Sequence, residues 1–223
     1  HITSAEAARN RGDMAATARH FFQMARHSDS SLLQIDPTKP ALRVSAACWA
    51  RRQIQQLRHS GGETIESVIQ PAATRHLDRL LAREDVPFEE LYRVMQIYTG
   101  SEAGIRAGLS AASRAEQAEK KAQAELILIQ MQQTEDKQTS AAGMAALAGL
   151  YEKRRWHATA SRTWRALRER HPDVPITEGG STLPAAQVAE QALGALAEHT
   201  GTDPDRPAGM PNPPYRLLWK DSV

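Results

Sequence analysis

Apolar residues recur every three or four positions along most of this chain, which is the period of an amphipathic α-helix. Clusters of glycine, proline, serine and asparagine interrupt the period and mark turns between the helices. The pattern predicts helices over residues 5–27 (with a break at 10–13), 40–59, 64–83, 87–98, 102–119, 121–133, 140–153, 157–170 and 184–198. We therefore expect an all-α protein of nine or ten helices joined by short turns.

Several residues indicate where these helices begin and end. Pro40 suits a first helical turn, and Gly61 and Gly62 are expected to stop the helix that it starts. Pro71 lies inside the next apolar pattern, so we expect a kink or two short helices there. Ser101 is a favoured N-cap residue and predicts the start of a helix at residue 102.

The apolar helix faces supply the expected core. Gly100, Gly104 and Gly108 follow at four-residue intervals and predict close packing beside a helix. The core candidates of three predicted helices are Leu42, Ala46, Trp49, Ile54 and Leu57; Ile65, Val68, Ile69, Ala73, Leu77, Leu80 and Leu81; and Leu126, Leu128, Ile129 and Met131.

Composition favours helices over sheets. The chain has 223 residues, of which 41% are hydrophobic, and it has 37 alanines against 17 valines and isoleucines. Alanine is the best helix former, whereas strands favour β-branched residues, so sandwiches, barrels and doubly wound sheets are not expected. The longest apolar run, residues 141–150, is too short to span a membrane. The single cysteine, Cys48, excludes an internal disulfide and a metal site built from several cysteines.

One stretch has the alternation of large and small residues that two antiparallel helices need where they pack closely. The residues concerned are Met144, Leu147, Ala148 and Tyr151, then Ala160, Trp164 and Leu167, then Pro172. This pattern resembles the tetratricopeptide repeat, most clearly over 141–174, in degraded form over 101–136, and as a partial unit over 1–27. The resemblance implies antiparallel helix pairs stacked as a tetratricopeptide-like α-solenoid, with an irregular helical array as the alternative.

The resemblance also implies a ligand surface, because tetratricopeptide domains usually bind partners on the concave face made by the first helix of each unit. On this chain the face would hold Gly149, Glu152 and Lys153, with Arg114 from the preceding unit and Trp156 at the turn. Family members that clamp a carboxylate use lysine and asparagine, where this chain has alanine and glycine. We therefore expect a shallow groove that takes an apolar helix or a neighbouring domain. Core packing is the other interpretation of Trp156.

The C-terminal part suggests a larger architecture. Residues 172–182, rich in proline and glycine, are predicted to be a loop, and residues 200–214 a proline-rich linker before the start of a strand at 215–223. This order is similar to large bacterial proteins in which helices precede a quinoprotein-type β-propeller, and it implies a place in the bacterial cell envelope. Because the sequence opens on His1 and closes on an unpartnered strand, we expect a piece of a longer polypeptide with its helical domain at 1–199.

Charge adds one more candidate site. The formal net charge is +2, and 22 of the 28 cationic residues are arginine, the side chain best suited to phosphate and carboxylate groups. Residues 151–171 hold seven Lys or Arg against two Asp or Glu, and Arg155, Arg162 and Arg165 are candidates for binding an anion. A solvated helix face is the other interpretation. The low overall charge argues against a dedicated nucleic-acid-binding domain.

The motifs of common catalytic sites do not occur in the sequence. It has no P-loop, no glycine-rich dinucleotide motif, no nucleophile elbow and no His-Glu-x-x-His zinc motif. We expect no catalytic residue, no metal site and no cofactor. The predicted function is a non-catalytic helical-repeat scaffold that docks a protein or a neighbouring domain of the same polypeptide. The alternatives are an accessory domain of an enzyme whose active site lies elsewhere, and an anionic-surface or nucleic-acid binder acting through the arginines of 151–171.

Overall fold

The computed structural model describes residues 2–27, 31–34, 38, 41, 43–178 and 180–197, and these residues form nine helices and two small hairpins. The all-α prediction is therefore confirmed. The helices are Ile2–Asn10 (α1), Met14–His27 (α2), Ala46–Leu81 (α3), Phe88–Ile97 (α4), Glu102–Gln117 (α5), Lys121–Gln132 (α6), Lys137–Lys153 (α7), His157–Arg170 (α8) and Ala185–Ala197 (α9). The strands are Leu32–Gln34 (β1), Arg43–Ser45 (β2), Pro175–Glu178 (β3) and Ser181–Pro184 (β4).

Helices that follow one another along the chain pack together, as in helical-repeat folds. Contacts divide the chain into a first unit, His1–Ile127, and a second unit, Leu128–Val223. Helix α2 packs on α1 and α3 in the first unit, and α4 packs on α5. Helix α8 packs on α7 and α9 in the second unit. The boundaries of the three predicted repeats remain predictions.

Helix α3 continues through the predicted stop at Gly61 and Gly62, and it is one helix at Pro71, where a kink or two short helices were predicted. It begins at Ala46 and includes Gly61, Gly62 and Pro71, so the predicted start at residue 40 and the predicted stop are wrong. Two interior glycines cost about 2 kcal/mol relative to alanine. Each large apolar side chain that the helix buries contributes about 1.5–3 kcal/mol, so burial on both sides of the glycines outweighs that cost. The buried residues are Ile54 and Leu57 before the glycines, and Ile65, Ile69 and Leu77 after them.

Most of the predicted core is buried. Ala46, Ala73, Leu128 and Met131 are buried along with the five residues just named, whereas Trp49, Val68, Leu80, Leu81 and Ile129 are partly buried. The prediction that Leu126 belongs to the core is wrong, because its side chain is 54% exposed. Leu42, Pro40, the predicted linker at 200–214 and the predicted strand at 215–223 lie outside the described residues.

The predicted cap at Ser101 is confirmed. Its Oγ accepts a hydrogen bond from the amide of Gly104 (3.0 Å) and donates one to the carbonyl of Tyr98 (2.7 Å). Gly104 has no room for a side chain, because a Cβ atom there would overlap the Tyr98 carbonyl oxygen. Gly104 is therefore closely packed, but against the turn that precedes α5 and not beside a helix as predicted.

Residues 172–182 are not a plain loop, because β3 and β4 form an antiparallel hairpin with Ile176 opposite Leu183 and Thr177 opposite Thr182. The two threonine hydroxyls lie 2.9 Å apart. A Gly-Gly pair between two short β-branched segments is a hairpin signal in the sequence, and the proline-rich composition around it concealed that signal. The other hairpin pairs β1 with β2, also antiparallel.

Across the described ranges, no helix is both long enough and apolar enough to cross a membrane. Those ranges also contain no group of three or more His, Cys, Asp or Glu side chains that could hold a metal ion.

Candidate functional site

The predicted docking face lies on α7, which is positioned by its packing on α8. The Asp136 carboxylate caps α7 by accepting a hydrogen bond from the amide of Thr139 (2.7 Å). The two alanines predicted to permit close approach, Ala148 on α7 and Ala160 on α8, are both fully buried. Trp164 is 5% exposed, which confirms it as a core residue of this pair. The repeat pattern therefore identifies the contact between these helices correctly.

One side of α7 remains partly open in the second unit. We call this side the α7 strip; its residues are Ala142, Ala145, Ala146, Gly149 and Lys153, of which the first four are partly buried and the lysine is exposed. A Cβ atom built on Gly149 meets no atom within 4 Å. Where α7 contacts α6, a Cβ atom on Gly143 would lie 2.6 Å from the Cβ of Met131. Helix α7 thus has one glycine in a tight contact and one beside open space.

Glu152 has a structural contact that the sequence did not reveal. Its carboxylate accepts a hydrogen bond from the indole Nε1 of Trp164, so it joins α7 to α8. A change at this residue therefore alters the packing of the helix pair as well as any surface contact. Lys153 is exposed at the end of α7, so a change there alters the surface without removing the contact between Glu152 and Trp164.

Trp156 lies at the turn between α7 and α8 and is partly buried. Its ring stacks on the buried ring of Tyr151, with centroids 5.7 Å apart and an angle of 26° between the planes. The Arg154 guanidinium lies 5.7 Å from its centroid. The structure thus gives Trp156 packing partners within its own unit, in line with the core interpretation, while part of its surface remains accessible.

The three candidate anion-binding arginines are all exposed. Arg162 and Arg165 lie three residues apart on α8, and Arg155 lies in the turn before it. Arg155 has a left-handed backbone with φ of 60°, which is uncommon for a residue other than glycine. Arg162 donates a hydrogen bond from Nε to the carbonyl of Ala158 (3.2 Å). These three guanidinium groups therefore remain accessible to solvent.

Arg114 belongs to the first unit, whereas the other predicted docking residues belong to the second. Its Nη1 donates a hydrogen bond to the carbonyl of Glu84 (3.0 Å), which links α5 to the segment after α3. Its side chain is partly buried.

A histidine ties α8 back to α7 in the second unit. The Ser140 hydroxyl donates to the carbonyl of Gln132 (2.7 Å), and the ring Nε2 of His171 lies 3.1 Å from the same hydroxyl oxygen. Because the serine proton is used, Nε2 carries the proton of the second hydrogen bond. Burial lowers the pKa of His171, and the nearby Arg170 and Lys137 act in the same direction.

The sequence did not identify a cleft in the first unit. A cavity of about 370 Å³ opens between α2 and α3, and its lining includes Arg19, Gln23 and Arg26 from α2 and Arg75 from α3. The sequence does contain one signal for it. Arg19, Gln23 and Arg26 are spaced at i, i+4 and i+7, so they share one face of α2. No pattern in the sequence indicates that Arg75, about fifty residues further on, lines the same cleft.

His76 lies next to this cleft. Its ring meets the Tyr98 ring edge-on, with centroids 5.7 Å apart. Burial lowers the pKa of His76 from 6.5 to about 4, and the positive charges of Arg26 and Arg79 add to this effect, whereas Glu90 opposes it. Burial also raises the pKa of Tyr98, and the charge of Arg26 opposes that increase.

No protein family matches this chain, and no match is found among the curated proteins or the solved structures.

Proposed function

We propose that this chain is a non-catalytic, tetratricopeptide-like scaffold that docks an apolar helix of a protein partner, or of a neighbouring domain of its own polypeptide, on the α7 strip. The observation that carries the proposal is the open space beside Gly149, near the C-terminal end of a helix that is closely packed at Gly143. This packing keeps α7 rigid, and rigidity lowers the entropic cost of binding.

The residues of the strip indicate what kind of partner fits. Alanine and glycine leave the backbone of α7 accessible, so another helix can approach it closely and bury apolar side chains against it. The strip offers no carboxylate and one ammonium group, Lys153 at its end. A partner helix with an apolar face and an acidic residue near one end would complement this arrangement.

Two glycines allow a matched test of this proposal. Gly149 and Gly194 are both helical, and a Cβ atom on either meets nothing within 4 Å, so a side chain can start at both positions without overlap. Gly149 lies on the α7 strip and Gly194 on α9. We expect Gly149→Gln to reduce the amount of partner that co-purifies with the chain from its source cells by at least tenfold, and Gly194→Gln to leave it unchanged.

The melting temperature of each variant separates lost docking from lost folding. Both glutamine variants should melt at or above the wild-type temperature, because each replaces an interior helical glycine. An equal loss of partner in the two variants, or no loss in either, would contradict docking on the strip. Lys153→Glu provides a second variant that changes the surface without touching the core, whereas a change at Glu152 does not, because of its bond to Trp164.

A second candidate function rests on the exposure of Arg155, Arg162 and Arg165. These groups would contact phosphates of a nucleic acid or another anionic surface. Binding to double-stranded DNA would then fall steeply between 50 and 200 mM salt, and a triple glutamine variant would bind more weakly with a shallower salt dependence. Weak binding that does not depend on salt would exclude this function.

A further inference from the structure

The cleft of the first unit is formed by two facing rows of residues. Arg19, Gln23 and Arg26 follow one face of α2, and Pro71 and Arg75, four residues apart, follow one face of α3. Side chains at these spacings point the same way from a helix. The two rows therefore direct three guanidinium groups and one amide at the same space.

The charge of this cleft is one-sided. Among the residues that the structure describes, its lining includes three arginines and no Asp or Glu. Elsewhere in the first unit, Arg58 pairs with Glu66 and Arg83 with Glu90. None of the three cleft arginines forms an ion pair or a side-chain hydrogen bond with another residue in the described part of the chain. The three arginines are exposed and lie around one cleft, so an anion bound there is attracted by all three positive charges.

The wall of the cleft between these charges is apolar and partly aromatic. The Phe22 ring, which lines the cleft, stacks on the ring of Tyr98, with centroids 5.1 Å apart and planes inclined by 30°. Val68, Pro71 and Ala72 line it from α3. The volume of about 370 Å³ falls within the roughly 300–1,000 Å³ of small-molecule sites. Small-molecule sites usually combine an apolar wall with a few polar groups, as this cleft does.

We propose that this cleft binds a small organic anion, in which a phosphate or carboxylate group is attached to a flat apolar body. The guanidinium groups of Arg26 and Arg75 hold the anionic group through charge-assisted hydrogen bonds, with Arg19 at the other end of the α2 row. The apolar body lies against the wall that includes Phe22 and Pro71. This site is in the first unit and does not depend on docking at the α7 strip.

The size of the cleft favours a small ligand over an extended polyanion. Two successive α2 arginines in the row, Arg19 and Arg26, are separated by seven residues, or about 10 Å along a helix. A nucleic acid requires a longer basic stripe that follows its backbone over several phosphates. The same anionic chemistry could be offered by an acidic peptide, and the experiment distinguishes that source from a free small molecule.

Phenyl phosphate is the probe, because it joins a phosphate to a flat ring. Isothermal titration of the whole chain should give saturable 1:1 binding, at least tenfold tighter than binding of inorganic phosphate, which lacks the ring. Arg26→Gln and Arg75→Gln should each weaken binding about tenfold. Arg106→Gln is the matched control, since it removes the same charge from an exposed residue of α5 that does not line the cleft, and it should leave binding unchanged.

The ring signals of His76 report independently where the probe binds, because this ring contacts Tyr98 at the cleft. Phenyl phosphate should shift the His76 resonances in the wild type and in Arg106→Gln. Three results would overturn the proposal: no saturable binding at millimolar phenyl phosphate, equal weakening by all three arginine variants, or tighter binding of an acidic peptide than of phenyl phosphate. Circular dichroism of each variant verifies that it is folded.

Discussion

Glycine residues inside the helices of this protein occupy opposite environments. Gly104 is pressed against the Tyr98 carbonyl beside the cap of α5, and Gly143 against Met131. Gly149 and Gly194 face open space. Sequence alone does not distinguish these cases, because the neighbour that excludes a side chain is brought there by the fold.

Substitution by alanine should therefore have opposite effects at Gly104 and Gly149. Gly104→Ala forces the Ser101 cap apart and should destabilise the chain by about 2 kcal/mol or more. Gly149→Ala removes backbone entropy from the unfolded chain at no steric cost and should stabilise it by about 0.5–1 kcal/mol. Urea unfolding of both variants measures the two changes. Equal effects in the two variants would mean that the environment of one glycine is misassigned.

The Glu152–Trp164 hydrogen bond makes a second prediction for single residues. Glu152→Ala leaves the indole N–H of a nearly buried tryptophan without its acceptor and should cost about 1–2 kcal/mol. Glu169→Ala, at an exposed carboxylate of α8, is the control and should change stability by less than about 0.5 kcal/mol. If both alanine variants unfold at the same urea concentration as the wild type, the bond contributes no stability.

At the scale of elements, Arg58 fixes α3 to the turn between α4 and α5. Its guanidinium donates to the Glu66 carboxylate, to the carbonyl of Thr99 and to the carbonyl of Gly100, the last at 2.8 Å. Its side chain is 19% exposed. A planar group with five donors suits three acceptors in different directions, so this arginine joins elements that are more than thirty residues apart in sequence.

Loss of these Arg58 hydrogen bonds should measurably lower the stability of the chain. Arg58→Ala should cost about 2 kcal/mol, because a partly buried charge-assisted network loses its donor. Arg58→Lys should recover part of that loss, since an ammonium group cannot reach all three acceptors at once. Arg52→Ala, at an exposed residue of the same helix, is the control. Chemical denaturation followed by Trp fluorescence measures the stability of each variant. A lysine variant as stable as the wild type would show that Arg58 does not need all three acceptors.

The elements also show which parts of the fold follow from sequence. The range predicted for the helix after Ser101 was close to that observed because the cap and the apolar period agree there, and the range of α8 followed from its apolar period. The course of α3 was mispredicted, since burial of its apolar residues outweighs the local preference of glycine and proline for helix ends. The cleft could not be predicted at all, because its two rows of residues come from helices that meet through tertiary packing.

At the scale of the whole molecule, stability should depend on pH through two partly buried histidines, His76 and His171. The pKa of His76 is about 4 in the folded chain and near 6.5 when unfolded. The unfolded state therefore takes up a proton first as the pH falls. Stability is complete above pH 6.5 and decreases as the pH falls from 6.5 towards 4, and the lowered pKa of His171 acts in the same direction.

We expect the free energy of unfolding to decrease by about 1 kcal/mol between pH 7 and pH 5 through His76, with allowance for its contact with solvent. His76→Gln should remove that part of the pH dependence, because glutamine does not titrate. Urea unfolding curves at pH 7, 6 and 5 provide the measurement. A decrease of the same size in His76→Gln would assign the pH dependence to other groups.

Site-specific photo-crosslinking tests the central claim, which is docking on the α7 strip, most directly. A photoreactive phenylalanine analogue is placed at position 149 or, as the matched control, at position 194, and the chain is irradiated in its source cells. The account predicts that position 149 crosslinks to one defined helical segment of a partner or neighbouring domain, that position 194 does not, and that Lys153→Glu reduces the product. Crosslinks that are equally abundant and scattered at the two positions would contradict it.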